Sequence, residues 1–209
     1  MAKTKIDPEL EVDPRYSLSS ADILQMYNWQ EIFQNNYPIE IELGAGDGGF
    51  ILERARANPH VNFIAIERLR GRIRKIIKGA SRHQLANLRA IQLESTYVIE
   101  RLCPYQSLKT IHIMFPDPWP KKKHHKRRLM QTEFLLKALQ TLAFHGELRF
   151  TTDHQEYFQW TEEIFQILES STAWRRIELW DWQRDPLTDF QKAFISEGRS
   201  FYRARWIKA

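Results

Sequence analysis

Three observations predict an α/β protein built on a doubly wound sheet, mostly parallel, with an antiparallel C-terminal hairpin. Short apolar runs recur at residues 39–43, 61–66, 88–93, 109–115 and 146–151, with helical periodicity between them. The first run ends in a glycine-dense turn, Gly44-Ala-Gly-Asp-Gly-Gly49, that opens onto a helix. The last third, 174–182 and 199–207, alternates apolar and polar residues as two paired antiparallel strands do.

At 209 residues the chain is long enough for one α/β domain and short for two. A single domain is expected over 19–209, preceded by a flexible tail over 1–18, where Pro8, Pro14 and scattered charges show no periodicity. From Ser19, with Ser19 or Ser20 as cap, a helix carrying Ile23, Leu24, Tyr27, Ile32 and Phe33 is expected to run toward Pro38 and pack across the sheet. One cysteine, Cys103, excludes an intramolecular disulfide, suits a reducing compartment and reads as a small buried hydrophobe. No apolar stretch approaches the ~20 residues of a membrane span, and Met-Ala-Lys-Thr-Lys lacks the apolar region of a signal peptide. A soluble, cytoplasmic protein with no membrane partner and no metal site is the expectation.

In the first βα unit, Ile39, Ile41 and Leu43 supply strand periodicity, and Phe50, Ile51, Leu52 and Ala55 the buried face of a helix ending before Pro59. Gly44, Gly46 and Gly49 fit a dinucleotide fingerprint; Gly44, Gly46 and Gly48 equally fit the G-x-G-x-G of S-adenosylmethionine (SAM) methyltransferases. Glu42 favours the second. A carboxylate beside the turn repels a pyrophosphate, whereas the ammonium of SAM is a partner for it.

The next strand, Val61 to Ile66, delivers Glu67 about 20 residues after the glycine turn, where an acid accepts ribose hydroxyls. A basic helix follows with Ile73, Ile76, Ile77 and Ala80 inward; its Arg70, Arg72, Arg74, Lys75 and Lys78 read as solvating charges, with guidance of RNA as the alternative. Leu88 to Leu93 brings Glu94 to the adenine edge. Lys109 to Phe115, with His112 as a satisfied core histidine, delivers Pro116-Asp117-Pro118-Trp119-Pro120. Three prolines in five residues stiffen this loop and position Asp117 toward the methyl donor, while Trp119 either stacks on a base or pins the loop. Lys121, Lys122, Lys123, His124, His125, Lys126, Arg127 and Arg128 follow; their six formal charges exceed the chain's net +5, so the remainder sums to −1. A helix is expected from about Lys126 to Leu142. Strand 146–151 ends at Asp153, which serves function, caps the next helix, or both. The polar stretch 185–191 reads as a loop returning to the site.

With these pieces placed, the chain resembles the tRNA (guanine-N7)-methyltransferase family. Glu42-Leu-Gly-Ala-Gly-Asp-Gly-Gly-Phe, Ile66-Glu67, Phe115 to Leu129 and Thr151-Thr-Asp153 stand in the family's order and spacing, and the Asp-Pro-Trp-Pro-Lys segment with its His-Lys-Arg-Arg is the most specific part. The resemblance implies a Rossmann-like SAM methyltransferase fold, with Glu42, Gly44, Gly46, Gly48, Glu67, Glu94 and Asp117 at the SAM site. It also implies Lys121 and Asp153 at the substrate, the basic run to Arg128 on RNA, and Thr188, Asp189, Phe190 and Gln191 approaching the target base. The implied reaction is methyl transfer from SAM to guanine N7 in the variable loop of tRNA (conventional position 46), with Asp117 catalytic and tRNA the partner of a monomer or homodimer. The family's Thr-Glu-Tyr-Glu reads here Thr188-Asp189-Phe190-Gln191, losing a charge and a phenol. The tail lacks the family's arginine and histidine pattern. Competing readings are a methyltransferase acting on an exocyclic adenine amine, a non-catalytic RNA-binding protein of the same fold, and an NAD-dependent oxidoreductase.

Overall fold

The computed structural model describes residues 13–18, 25–178 and 185–209. The strands among them are β1 (Ser17–Leu18), β2 (Ile39–Leu43), β3 (Asn62–Ile66), β4 (Leu88–Ile91), β5 (Leu108–Met114), β6 (Leu142–Thr152), β7 (Trp174–Arg176) and β8 (Tyr202–Lys208). They form one sheet of order β1-β4-β3-β2-β5-β6-β8-β7, parallel from β1 to β6 and antiparallel around β8. Helices α1 (Trp29–Phe33), α2 (Gly49–Ala57), α3 (Arg70–Arg82), α4 (Ser95–Tyr97, continued by a π turn to Leu102), α5 (Thr132–Thr141), α6 (Gln155–Ser171) and α7 (Asp189–Ser196) complete it. No helix among the described residues is long and apolar enough to cross a membrane.

Strands buried on both faces explain the continuous apolar runs. Along β3, Phe63 and Ala65 join the core under α2 and α3, while Ile64 and Ile66 join the larger core on the other face, with Ile39, Ile41 and Leu43. Because β2 to β6 run parallel, their carboxyl ends share one edge, and β2 lies between β3 and β5.

Several expectations are corrected. Residues 13–18, read as part of a tail, are docked: Tyr16 is buried, and Ser17 and Leu18 pair with Ala90 and Ile91. Ser19 to Leu24 lie outside the described residues; the described helix begins only at Trp29, where Asn28 caps by accepting from Glu31 N, after Tyr27 N has donated to Leu102 O. α5 begins at Thr132 and not at Lys126, because Lys122–Arg127 winds as a 3-10 turn and Arg128 then points inward. The antiparallel pair expected at the C-terminus is present as β7 with β8, and β8 also pairs with β6, which leaves β7 at the sheet edge. The stretch expected as a loop over 185–191 ends in the first turn of α7.

Candidate active site

The glycine turn begins as β2 ends, with Gly44 N and Ala45 N both donating to Ile66 O at 2.9 and 2.8 Å. Gly44, Gly46 and Gly48 have φ of 74°, 57° and 87°, a region open to glycine at little cost. At Gly48 a Cβ would also fall 2.8 Å from Ile76 Cγ1, so the turn packs directly on α3; at Gly44 and Gly46 the same position faces open space. Bare backbone thus borders a cleft of about 760 Å³ at the carboxyl edge, lined by Gly44, Glu67, Glu94, Asp117, Trp119 and Arg127 among others.

Three acids border the same strand ends. Glu42 is 3 % exposed, its Oε2 has no hydrogen-bond partner, and burial together with the charge of Glu67 pushes its carboxyl up to about 8. Glu67 is held by its own turn: Oε2 accepts from Gly46 N at 3.0 Å, and Oε1 from Arg68 N and Leu69 N at 2.7 and 2.9 Å. A carboxylate has about four acceptor sites, so about one remains for a hydroxyl while Gly46 stays bound. Glu94 caps α4 by accepting from Tyr97 N at 2.9 Å and remains exposed at the cleft.

Asp117 stands exposed between two residues in the left-handed region, Phe115 (φ 52°) and Trp119 (φ 44°). Neither is glycine, so this loop is strained and needs surrounding contacts to persist. The Arg127 guanidinium lies 5.0 Å over the Trp119 ring, and His124 meets that ring edge-on at 5.8 Å, which is the pinning role. Phe115 packs against Phe190, Phe194 and Phe201.

The basic run divides. Lys121, Lys122, Lys123, Lys126 and Arg127 are exposed, and His124 and His125 half-buried. Arg128, expected on RNA, is corrected: its side chain is fully buried over Tyr157 and Trp160, donating Nε to Pro118 O at 2.9 Å and both terminal nitrogens to Glu156. A guanidinium sealed this way has no face left for a phosphate.

Asp153 does not cap α6; His154 does, accepting from Tyr157 N at 3.2 Å, which leaves Asp153 36 % exposed beside Arg199 at 3.4 Å. Thr188 and Gln191 are a second correction. Both are buried in a capping box, Thr188 Oγ1 accepting from Gln191 N at 3.0 Å and Gln191 Oε1 from Thr188 N at 2.8 Å, so they build α7 and do not face a base. The T-x-x-Q spacing was the signal for it. Asp189 and Phe190 stay exposed, and Asp189 lies where a Cβ on Gly49 would meet it at 2.7 Å, so α7 abuts the start of α2.

Sequence reasoning missed a buried ionic network beneath the turn. Glu40 accepts from Arg54 Nε at 2.6 Å and lies 2.9 Å from His112 Nε2; Arg54 and Arg149 both reach Asp185, at 2.6 and 2.9 Å. Glu40, between Ile39 and Ile41 in a strand buried on both faces, was the available signal, since such a charge needs a partner. His112 is buried in the core as expected but only half satisfied, Nε2 meeting Glu40 while Nδ1 has no partner, and Cys103 is buried, its thiol pushed up by that burial.

The family model described as "Putative methyltransferase" matches residues 36–204. A protein of Streptococcus gordonii named tRNA (guanine-N(7)-)-methyltransferase is 31% identical, covering 95% of this chain and 93% of its own. One of the same name from Enterococcus faecalis is 34% identical, covering 86% and 85%. Among solved structures, the 16S rRNA methyltransferase KamB shares the fold, with a TM-score of 0.62 at 16% identity over 88% of this chain and 94% of that one.

Proposed function

The chain belongs to the tRNA (guanine-N7-)-methyltransferase family, and from that membership we propose that it methylates N7 of a guanine in the variable loop of tRNA, conventional position 46, with SAM as the donor. The observation that carries the reading is the strained, proline-rich loop that brings Asp117 into one cleft with Gly44, Glu67 and Glu94. The residues present fit the donor. The partnerless, buried Oε2 of Glu42 suits an ammonium, Glu67 a ribose hydroxyl, Glu94 the adenine edge, and the glycine turn a ligand lying against bare backbone. Bound there, SAM supplies a methyl group made electrophilic by its sulfonium.

Guanine N7 carries a lone pair and no proton, so no residue has to act as a base to create the nucleophile. What the protein contributes is placement, and orientation alone supplies effective molarities of ~10⁵ M or more. Asp117 accepts hydrogen bonds from the donor edge of guanine and faces the positive charge that develops on its imidazole ring. From the donor edge the carboxylate lies ~7 Å from that ring, where at a surface-like dielectric the attraction is worth roughly 2 kcal/mol. Asp153, free of capping duty, assists at the next strand end. Lys121, Lys122, Lys123, Lys126 and Arg127 supply phosphate contacts, which give affinity with little sequence information.

The test is transfer of labelled methyl from SAM to an unmodified tRNA transcript, followed by nucleoside analysis. Label recovered as 7-methylguanosine in the variable loop, and lost in Asp117→Ala, is the expected result. Label in another nucleoside, or full activity in Asp117→Asn with unchanged tRNA affinity, would sink the assignment.

A further inference from the structure

Helix α3 carries more positive charge than its place in the fold needs. Residues 68–82 hold seven lysines and arginines and no acid. Ile73, Ile76, Ile77 and Ala80 bury its inner face. Two of the seven charges are used locally: Lys75 reaches Asp47 at 2.6 Å, and Arg72 lies 3.9 Å from Asp47 and 3.7 Å from Glu67. Arg68 precedes the helix, and the other four form a line. Arg70, Arg74, Lys78 and Arg82 recur every four residues along one stripe, and Arg70, Lys78 and Arg82 are exposed with no ion pair to an acid among the described residues. Like charges at that spacing destabilise a helix, and Arg70 in a first turn without an acid opposes the helix dipole. A face meant only for solvent is better served by mixed signs.

We propose that this stripe is a second phosphate-binding bank for the tRNA, a role that rests on tRNA being the substrate. The stripe starts at the cleft, where Arg68, Leu69 and Arg72 line one wall while Trp119, Lys126 and Arg127 line another. Since β3 and β5 lie on either side of β2, α3 and the basic 3-10 turn leave the sheet on opposite sides of the glycine turn. An RNA whose base reaches Asp117 therefore meets positive charge on both flanks. Four residues of helix rise ~6 Å, so the stripe spans ~18 Å and offers one cation per step at a spacing close to that of successive phosphates on a strand. The occupant is the sugar-phosphate backbone, and the stripe contributes affinity and orientation without reading sequence.

The test uses the full chain with Arg70, Lys78 and Arg82 all changed to Gln, a good helix former, and a parallel variant with Arg70 and Arg82 changed to Lys. Binding of an unmodified tRNA transcript is measured from low to physiological salt, alongside SAM binding. The triple Gln variant is expected to bind tRNA on the order of 10-fold or more weaker, with a salt slope shallower by about 2 for three lost contacts. The Lys variant should keep both, and SAM affinity should stay at the wild-type value in each. Wild-type tRNA affinity and slope in a Gln variant that still binds SAM overturn the bank while leaving the methylation reading intact. Absence of methyl transfer by the unaltered protein overturns that reading in a separate arm of the same assay.

Discussion

Arg128 reaches back ten residues to donate its Nε to the carbonyl of Pro118, 2.9 Å away, directly behind Asp117. Its terminal nitrogens rest on Glu156 at the start of α6, so one buried guanidinium ties the strained loop to a helix. Arg128 is thus a positioning residue. Arg128→Lys keeps the charge but loses the planar fork. The expected result is a kcat lowered about 10-fold or more with tRNA affinity nearly unchanged, read by separating kcat from KM. A variant that lost tRNA affinity and kept kcat would return Arg128 to the RNA surface. Arg128→Ala should also lower stability, on the order of 3 kcal/mol, because stacking and both hydrogen-bonding partners go with it.

Glu42 supplies a pH-linked prediction. Its carboxyl is raised to about 8 by burial and by Glu67, against an ordinary value of 4.5. A group raised on folding contributes stability that is present below 4.5 and lost as pH rises through 8. Glu42→Gln should therefore melt higher than the unaltered protein at pH 8, by calorimetry without ligand, and bind SAM at least ~10-fold more weakly. Equal SAM affinity in the two proteins at pH 8 would remove Glu42 from the ammonium site.

His112 predicts the opposite slope. Burial first, opposed by its hydrogen bond to Glu40, leaves the imidazole lowered to about 4. The neutral ring with its proton on Nε2 satisfies Glu40 and leaves Nδ1 buried without a partner, where a second proton would have none either. Glu40 itself is penalised by burial, yet His112 and Arg54 hold its carboxyl far below the usual range. A lowered histidine leaves stability intact above 6.5 and removes it as pH falls toward 4, on the order of 3 kcal/mol for this shift. Denaturant melts at pH 7 and pH 5 should show the loss, and His112→Asn should flatten it.

Gln191 and Thr188 separate capping from recognition. Thr188→Ala should cost about 1 kcal/mol by removing the α7 cap. Gln191→Glu keeps an acceptor for Thr188 N, so its melting point should stay close to that of the unaltered chain. Since Gln191 builds the cap and does not face a base, its methylation rate should stay close to that of the unaltered chain as well. A large loss of stability in Gln191→Glu would contradict the capping box as drawn.

Much of the fold was legible because parallel βα repetition is written locally. Apolar runs mark strands buried on both faces, glycine and proline mark the turns, and the residues that follow each run are delivered to one edge. That is why Glu42, Glu67, Glu94 and Asp117 could be placed at a common edge from their positions alone. The misreadings share a different cause. Lys126 looked like the start of a helix because a basic run fits helical periodicity as well as it fits a 3-10 turn, and Thr188 to Gln191 looked like a loop because its capping signal was overlooked.

The sequence by itself determined the strands of the parallel βα units from β2 to β6, the glycine turn, and the family the chain resembles, since each is written in local residue patterns on one repeated unit; the edge strand β1, read as tail, was not among them. Tertiary structure alone decided which charges are surface and which are structure. Arg127 and Arg128 are adjacent and chemically identical, yet one is exposed and the other is sealed against Glu156, 28 residues away. Arg54 and Asp185 meet across 131 residues. A charged side chain is settled in the interior only by partners that satisfy it, and those partners come from parts of the chain that sequence spacing does not bring together.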